Sequence, residues 1–227
     1  MDVERPFPFA AVIFDMDGVL VDSEIEYKEE MRAFAAHLGL DVSEDELNAQ
    51  VGASHQDFTH LVADWYARAG KPRSADEGLA SFRTWAIGNP PFDYAALLNP
   101  GVRETLAELR DRGVRTALAS SSPMTSIEEV LAVCKLEGLF EVVVSGEQFR
   151  QSKPDPEIYL HTLDLLGLPA SACCCVEDSV PGITAGLAAG LTVFAKREER
   201  FGFSQASATA VIDQIPDLLA AAFEVGR

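Results

Sequence analysis

Two pairs of carboxylates are the residues best suited to chemistry in this chain: Asp15 and Asp17 in Ala-Val-Ile-Phe-Asp-Met-Asp-Gly (residues 11 to 18), and Glu177 with Asp178 in Cys-Val-Glu-Asp-Ser. On an extended backbone Asp15 and Asp17 project to one side and Met16 to the other, and Gly18 permits a sharp exit. One carboxylate can then be a nucleophile, as in enzymes that form an aspartyl phosphate. The other can be a general acid for the leaving oxygen and then a base for water. The same residues also spell an ordinary Asp-Gly turn after a strand. Glu177 and Asp178 offer hard oxygen ligands, which select Mg²⁺ over zinc or copper. Helix capping accounts for Asp178 or Ser179 singly, but not for two successive acids matched by a second pair elsewhere. Four carboxylates in one crevice repel one another and raise one another's pKa values unless a cation sits among them.

Two further segments carry groups that suit a phosphate. Ser120 and Ser121 open Ser-Ser-Ser-Pro, where a strand gives way to a helix and offers hydroxyls and free backbone N–H groups; plain helix capping is the competing reading. Lys153 lies in Ser-Lys-Pro-Asp-Pro, where Pro154 biases it toward an extended backbone and Pro156 suits a first helical position. A lysine fixed in that way can neutralise phosphoryl oxygens and keep Asp15 ionised, although a solvated surface lysine has the same sequence.

These groups meet only if the elements that carry them converge. Ala10 to Phe14 and Cys173 to Val176 are short apolar runs of the kind found in buried parallel strands, so both acidic pairs fall at strand C-termini. In open α/β sheets the ligand crevice lies just outside those ends. After the first strand and a turn-rich Gly18 to Glu24, helical patterning predicts helices at 25 to 39, 43 to 51, 54 to 69 and 75 to 88, with Ser43, Ser54 and Ser74 as N-caps. From Pro100 the texture alternates: helix 101 to 112, strand 114 to 119, helix 124 to 135, strand 141 to 145, helix 156 to 166, strand 172 to 177, helix 180 to 189, strand 191 to 195, and a last helix from about Pro216. The economical architecture is a doubly wound, Rossmann-like α/β core with a parallel sheet, made of residues 1 to 22 and 97 to 227, with an all-helical insert at 23 to 96.

Composition limits the partners. The 227 residues are 48% hydrophobic, enough for a real core, and carry a formal charge of −18, which disfavours nucleic acid or an anionic membrane surface. No apolar stretch reaches the roughly 20 residues that span a bilayer, and Met-Asp-Val-Glu-Arg does not resemble a signal peptide, so a cytoplasmic location is expected. Cys173, Cys174 and Cys175 alternate between strand faces and Cys134 stands alone, so all four read as small buried hydrophobes.

Taken in order, Phe-Asp-Met-Asp-Gly-Val-Leu-Val-Asp-Ser-Glu, Ala-Ser-Ser-Ser, Ser-Lys-Pro-Asp-Pro-Glu-Ile-Tyr and Val-Glu-Asp-Ser-Val-Pro-Gly-Ile resemble the four motifs of the haloacid dehalogenase superfamily. The likeness is narrower still to its branch of small phosphatases and β-phosphoglucomutases, whose helical cap follows the first motif. That resemblance implies Asp15 as nucleophile, Asp17 as general acid/base, and Ser120, Ser121 and Lys153 as phosphate binders. It also implies Asp178 as a Mg²⁺ ligand beside Asp15 and the backbone carbonyl of Asp17, with Glu177 in the inner or outer metal shell. Mutases of the branch carry a cap-loop arginine that grips a second phosphate. Alignment of Val-Gly-Ala-Ser-His-Gln-Asp (51 to 57) places His55 there, and a shorter, mostly neutral side chain favours a phosphatase. The expected activity is Mg²⁺-dependent hydrolysis of a small phosphorylated metabolite, a sugar or sugar-acid monophosphate. A phosphomutase, or a non-catalytic binding protein on the same fold, are the alternatives. Specificity is expected in the cap, where His55, Lys71, Arg73 and Arg83 are candidates but more commonly solvated positions.

Overall fold

The apolar run Ala11–Phe14 has nothing to present to water, and it forms a strand with every side chain buried. It lies near the middle of a six-stranded, all-parallel sheet in the computed structural model, which describes residues 6–53 and 55–226. In chain order the strands are β1 (Ala11–Phe14), β2 (Arg115–Ser120), β3 (Val142–Ser145), β4 (Cys173–Glu177), β5 (Thr192–Lys196) and β6 (Ala210–Ile212). Their spatial order is β3-β2-β1-β4-β5-β6. The chain thus builds outward from β1 on one side, then returns to start again on the other. Between β1 and β4 the connections diverge, which opens a crevice at their C-terminal ends. Phe14 is in register with both Leu118 and Val176, so Asp15 and Glu177 follow at the same level.

Period-2 alternation sends one set of strand side chains to each face. Val12, Phe14, Leu118, Cys174 and Val176 pack on one face beneath α6 (Val102–Asp111), α7 (Met124–Val133) and α10 (Leu218–Val225). Ile13, Ala117, Ala119, Cys173 and Cys175 pack on the other beneath α8 (Glu157–Leu166) and α9 (Val180–Ala188). The result is a Rossmann-like three-layer core. The three consecutive cysteines split between the faces as expected, and all four cysteines are free and buried, with burial raising their thiol pKa values.

Between β1 and the remaining strands the chain inserts α1 (Glu24–His37), α2 (Glu44–Asn48), α3 (His55–Arg68) and α4 (Ala75–Ala86), followed by the short α5 (Tyr94–Leu97). The four longer-range helices own a separate apolar cluster centred on Phe34, whose ring lies 5.0 Å from Phe82, 5.1 Å from Trp85 and 5.9 Å from Tyr66. Ser43 caps α2 by accepting from the Glu46 N–H at 3.1 Å, and Ser74 forms a reciprocal capping box with Glu77. The Ser54 cap lies outside the described residues.

The element pattern differs from the sequence expectation in a few places. The helix expected at 43 to 51 stops at Asn48, because the chain turns toward Gly52, which has φ +70°. The helix expected from Pro216 begins with a 3₁₀ turn, Ile215–Asp217, before α10. Strand β6 and helix α5 carry no advance signal, since three or four residues are too few to establish a period. Phe34→Ala removes the ring around which the helical cluster is built and should cost about 3–5 kcal/mol in urea unfolding.

Candidate active site

Where β1 ends, the backbone folds back on itself: the N–H groups of Leu20 and Val21 donate to the Met16 carbonyl at 2.8 and 3.1 Å. Met16 points into the core, fully buried, so Asp15 and Asp17 are left on the crevice side. Gly18 adopts φ +74°, and a β-carbon there would lie 1.9 Å from Asp178 Oδ2. Only glycine lets the first loop and the second acidic pair approach this closely. Asn99 holds the same loop, its Nδ2 donating to the Val19 carbonyl at 2.8 Å.

The two aspartates then take different partners. Asp15 Oδ1 accepts from Lys153 Nζ at 2.6 Å. Asp17 accepts one hydroxyl on each oxygen, Ser23 Oγ on Oδ1 at 2.6 Å and Ser122 Oγ on Oδ2 at 2.7 Å. Lys153, with 4% of its side chain exposed, also donates to Glu177 Oε1 at 2.6 Å and to the Ala119 carbonyl at 3.1 Å. Its three N–H bonds are therefore all committed. Glu177 is fully buried: Oε1 also accepts from the Tyr159 hydroxyl, and Oε2 accepts from the Asp178 N–H at 3.3 Å.

Asp178 is the exception to this saturation. Among the described residues its Oδ2 is buried with no hydrogen-bond partner. Asp15, Glu177 and Asp178 each offer an oxygen within 4.8 Å of the others, a set able to hold a metal ion. The Asp17 carboxylate stands apart from that set, held by its two serines. Ser120 is buried and accepts from the Ser122 N–H at 3.0 Å, while Ser121 is half-buried beside it; both line the cavity described below. A run of three serines does not reveal which hydroxyl reaches Asp17; the bend after β2 selects Ser122. Ser23 and Glu24 fall in the stretch that the sequence marks only as turn-rich, and nothing there signals that both are buried against the site. Tyr159, within the helix expected at 156 to 166, carries no signal in sequence of its hydroxyl's bond to Glu177.

Burial first, then Glu177 and Asp17, push the Asp15 carboxyl up to about 7 despite the opposing Lys153 charge. Burial, with Asp17 and Asp15, pushes Glu24 up to about 8. Asp178 is driven well above the usual carboxylate range by burial and then by Glu24 and Asp15. Burial also raises Asp17, against the pull of its two serines. Burial alone would lower Lys153, but Asp15 and Glu177 more than offset it and hold the ammonium charged. One cation thus faces an excess of buried acids.

Over Asp15 and Asp17 lies a cavity of about 240 Å³, bounded on the far side by α1, α3 and the loop before α3. Gly52 of that loop sits so close to Ser179 that a β-carbon would lie 2.6 Å from its Oγ. His55 opens α3 and lines the cavity, half-buried, its pKa lowered by burial and by Arg83. Lys71, Arg73 and Arg83 are exposed and do not line it.

The acid excess has a consequence for stability. Asp15 and Glu24 keep their protons in the folded chain up to about pH 7 and about pH 8, against ordinary values of 3.8 and 4.5. Between those limits the native state binds more protons than the unfolded chain, so stability falls as pH rises. In EDTA, calorimetry should show Tm decreasing from pH 5 to pH 8, by about 2–4 °C for each kcal/mol lost. Added Mg²⁺ should restore more at pH 8 than at pH 5.

The family model "haloacid dehalogenase-like hydrolase" matches residues 9–190. The chain is 35% identical over 189 residues to hexitol phosphatase B of Escherichia coli K12, covering 82% of this chain and 83% of that protein. It is 34% identical over 183 residues to the phosphorylated carbohydrates phosphatase of Thermotoga maritima, covering 80% and 82%. Among solved structures, a β-phosphoglucomutase from Clostridium difficile superposes with a TM-score of 0.75 over 96% of this chain and 97% of that one; at 20% identity the likeness is one of fold. The match along most of the chain, together with the two acidic pairs joined at β1 and β4, means that this protein belongs to the haloacid dehalogenase-like hydrolases.

Proposed function

We propose that this phosphoric monoester hydrolase is a Mg²⁺-dependent phosphatase of a small phosphorylated metabolite, a sugar or sugar-acid monophosphate, acting through an aspartyl-phosphate intermediate. The observation that carries the reading is the arrangement of Asp15 on Lys153 and of Asp17 between two hydroxyls beneath a cavity. The relatives named as phosphatases of hexitols and phosphorylated carbohydrates support it.

The donor set suits Mg²⁺: hard carboxylate oxygens, one of them the orphaned Asp178 Oδ2. Asp15 and Asp178 would hold the ion, with the Asp17 carbonyl added by family resemblance. Glu177, whose oxygens are already engaged by Lys153, Tyr159 and the Asp178 N–H, would support them from behind. When bound, the ion supplies positive charge that offsets the acid excess and the phosphoryl oxygens.

Asp15 attacks phosphorus and the P–O bond to the leaving group breaks, while Lys153 balances the phosphoryl charge and pulls the Asp15 carboxyl toward its ionised form. Asp17 gives its proton to the departing oxygen; its raised pKa suits it to carry that proton. The serine pair, Ser23 and Ser122, fixes its orientation. Asp17 then takes a proton from water, the water oxygen attacks phosphorus, and the Asp15 carboxylate is released with inorganic phosphate. Ser120 and Ser121 line the phosphoryl position. The helical insert, residues 23–96, acts as a cap over the core of 1–22 and 97–227 and keeps bulk water from the first step. A mutase needs a grip on a second phosphate, and a half-buried His55 with a lowered pKa supplies little.

Asp15→Asn should leave circular dichroism native and reduce hydrolysis of p-nitrophenyl phosphate by several orders of magnitude; retention of more than about a percent of activity excludes the covalent route. The wild-type protein should lose its activity in EDTA and regain it with Mg²⁺, and full turnover in EDTA contradicts the metal assignment.

A further inference from the structure

We infer that the cavity selects an uncharged polyhydroxylated leaving group, a neutral sugar or polyol, through the acceptors Glu30 and Gln50 and the carboxyl of Glu24, and rejects esters that carry a carboxylate or a second phosphate. The inference rests on the phosphatase reading for the position of the phosphoryl group, and it narrows that reading's substrate class.

Helix α1 presents Glu24, Tyr27, Glu30 and Met31 to the cavity from successive turns, at spacings that keep them on one face. Glu24 is 8% exposed, and Glu30 is half-buried. Beside them Gln50 Oε1 is buried with no hydrogen-bond partner among the described residues. A buried acceptor without a donor costs stability until something supplies one, and a hydroxyl supplies it. The Tyr27 hydroxyl, 3.1 Å from that of Tyr94, adds a group of either sense.

Apolar groups complement these acceptors. Met31, Phe58 and Phe82 line the same cavity, and the two rings meet edge-on with centroids 4.8 Å apart. A polyol has both the O–H donors and the C–H surface to match such a lining. At about 240 Å³ the space is below the ~300–1,000 Å³ common for drug-sized ligands, which suits one sugar rather than a nucleotide.

The charge balance excludes a second anion. Lys153 is the only Lys or Arg lining the cavity among the described residues, and its N–H bonds go to Asp15, Glu177 and the Ala119 carbonyl. Lys28, on α1, is turned to Asn48 and Glu44 at 2.6 and 2.8 Å, and Arg83 is exposed outside the cavity. A carboxylate on the leaving group would be desolvated in a cavity that Glu30 also lines, with no lysine or arginine there free to pair it.

The test uses matched pairs. Glucitol 6-phosphate and 6-phosphogluconate differ only at C1, and fructose 6-phosphate differs from fructose 1,6-bisphosphate only by the second phosphate. Each neutral member should exceed its anionic partner by at least about 100-fold in kcat/KM. Glu30→Lys should narrow the glucitol-to-gluconate ratio by about tenfold or more. p-Nitrophenyl phosphate in the same assay reports the chemistry without sugar recognition. If it is hydrolysed while the partners in each pair differ by less than threefold, the inference is overturned and the phosphatase reading stands. If no ester is hydrolysed, the phosphatase reading fails, and calorimetric binding to Asp15→Asn decides the selectivity. Glucitol 6-phosphate binding at least tenfold tighter than 6-phosphogluconate upholds the inference, and equal or reversed affinities overturn it.

Discussion

A single buried ammonium, Lys153 between Asp15 and Glu177, makes the rest of this site tenable. Parallel strands bury their ends on both faces, so placing acids at the termini of β1 and β4 desolvates them together. Removing one partner from such a buried pair typically costs about 3–5 kcal/mol, because the other charge is left without compensation. Lys153 neutralises part of the cluster, Tyr159 and the Asp178 N–H complete Glu177, and the two serines complete Asp17. What remains without a partner among these acids is the Asp178 Oδ2, on a residue whose carboxylate shares a cluster with those of Asp15 and Glu177. The excess is local and points into the crevice, which is where an added cation would gain most.

The same constraint links the helical insert to the sheet. Ser23, which holds Asp17, immediately precedes α1, and Glu24 opens that helix while lying buried against the site. On the other side Gln205 Nε2 donates to the carbonyls of Asp178 and Lys196, while its Oε1 accepts from the Glu198 N–H at 3.0 Å. Glu198 in turn binds Arg200, whose guanidinium takes both oxygens of Asp22 at 2.6 and 3.0 Å. A continuous polar chain therefore runs from the backbone of Asp178 to the residue just before Ser23. Bidentate geometry of this kind fixes direction as well as distance, so the point where the chain leaves the core for the insert is positioned from the acidic end of β4 itself.

Asp15, Asp17, Glu177, Asp178, Lys153 and the serine run were all legible in the sequence because apolar strand runs end at fixed residues, and parallel sheets gather their strand ends. Periodicity likewise locates the large helices and every strand but β6. The separation of Asp15 from Asp17 was not legible. Residues two apart share a face only while the chain is extended, and here it bends at once, giving one acid to a lysine and the other to hydroxyls from residues 23 and 122.

The sequence by itself determined the fold class, the carriers of charge at the strand ends, and the family. Those follow from local patterns: alternation, helix period, and turn residues at set distances. Only the tertiary structure decided which serine meets Asp17, that Glu177 is enclosed by Lys153 and Tyr159, and that Glu24, Glu30 and Gln50 share a cavity with two phenylalanines. Those relations join residues tens of positions apart, and their energies depend on desolvation. Burial is a property of the packed molecule, so the residues that feel it most carry no mark of it in their neighbours along the chain.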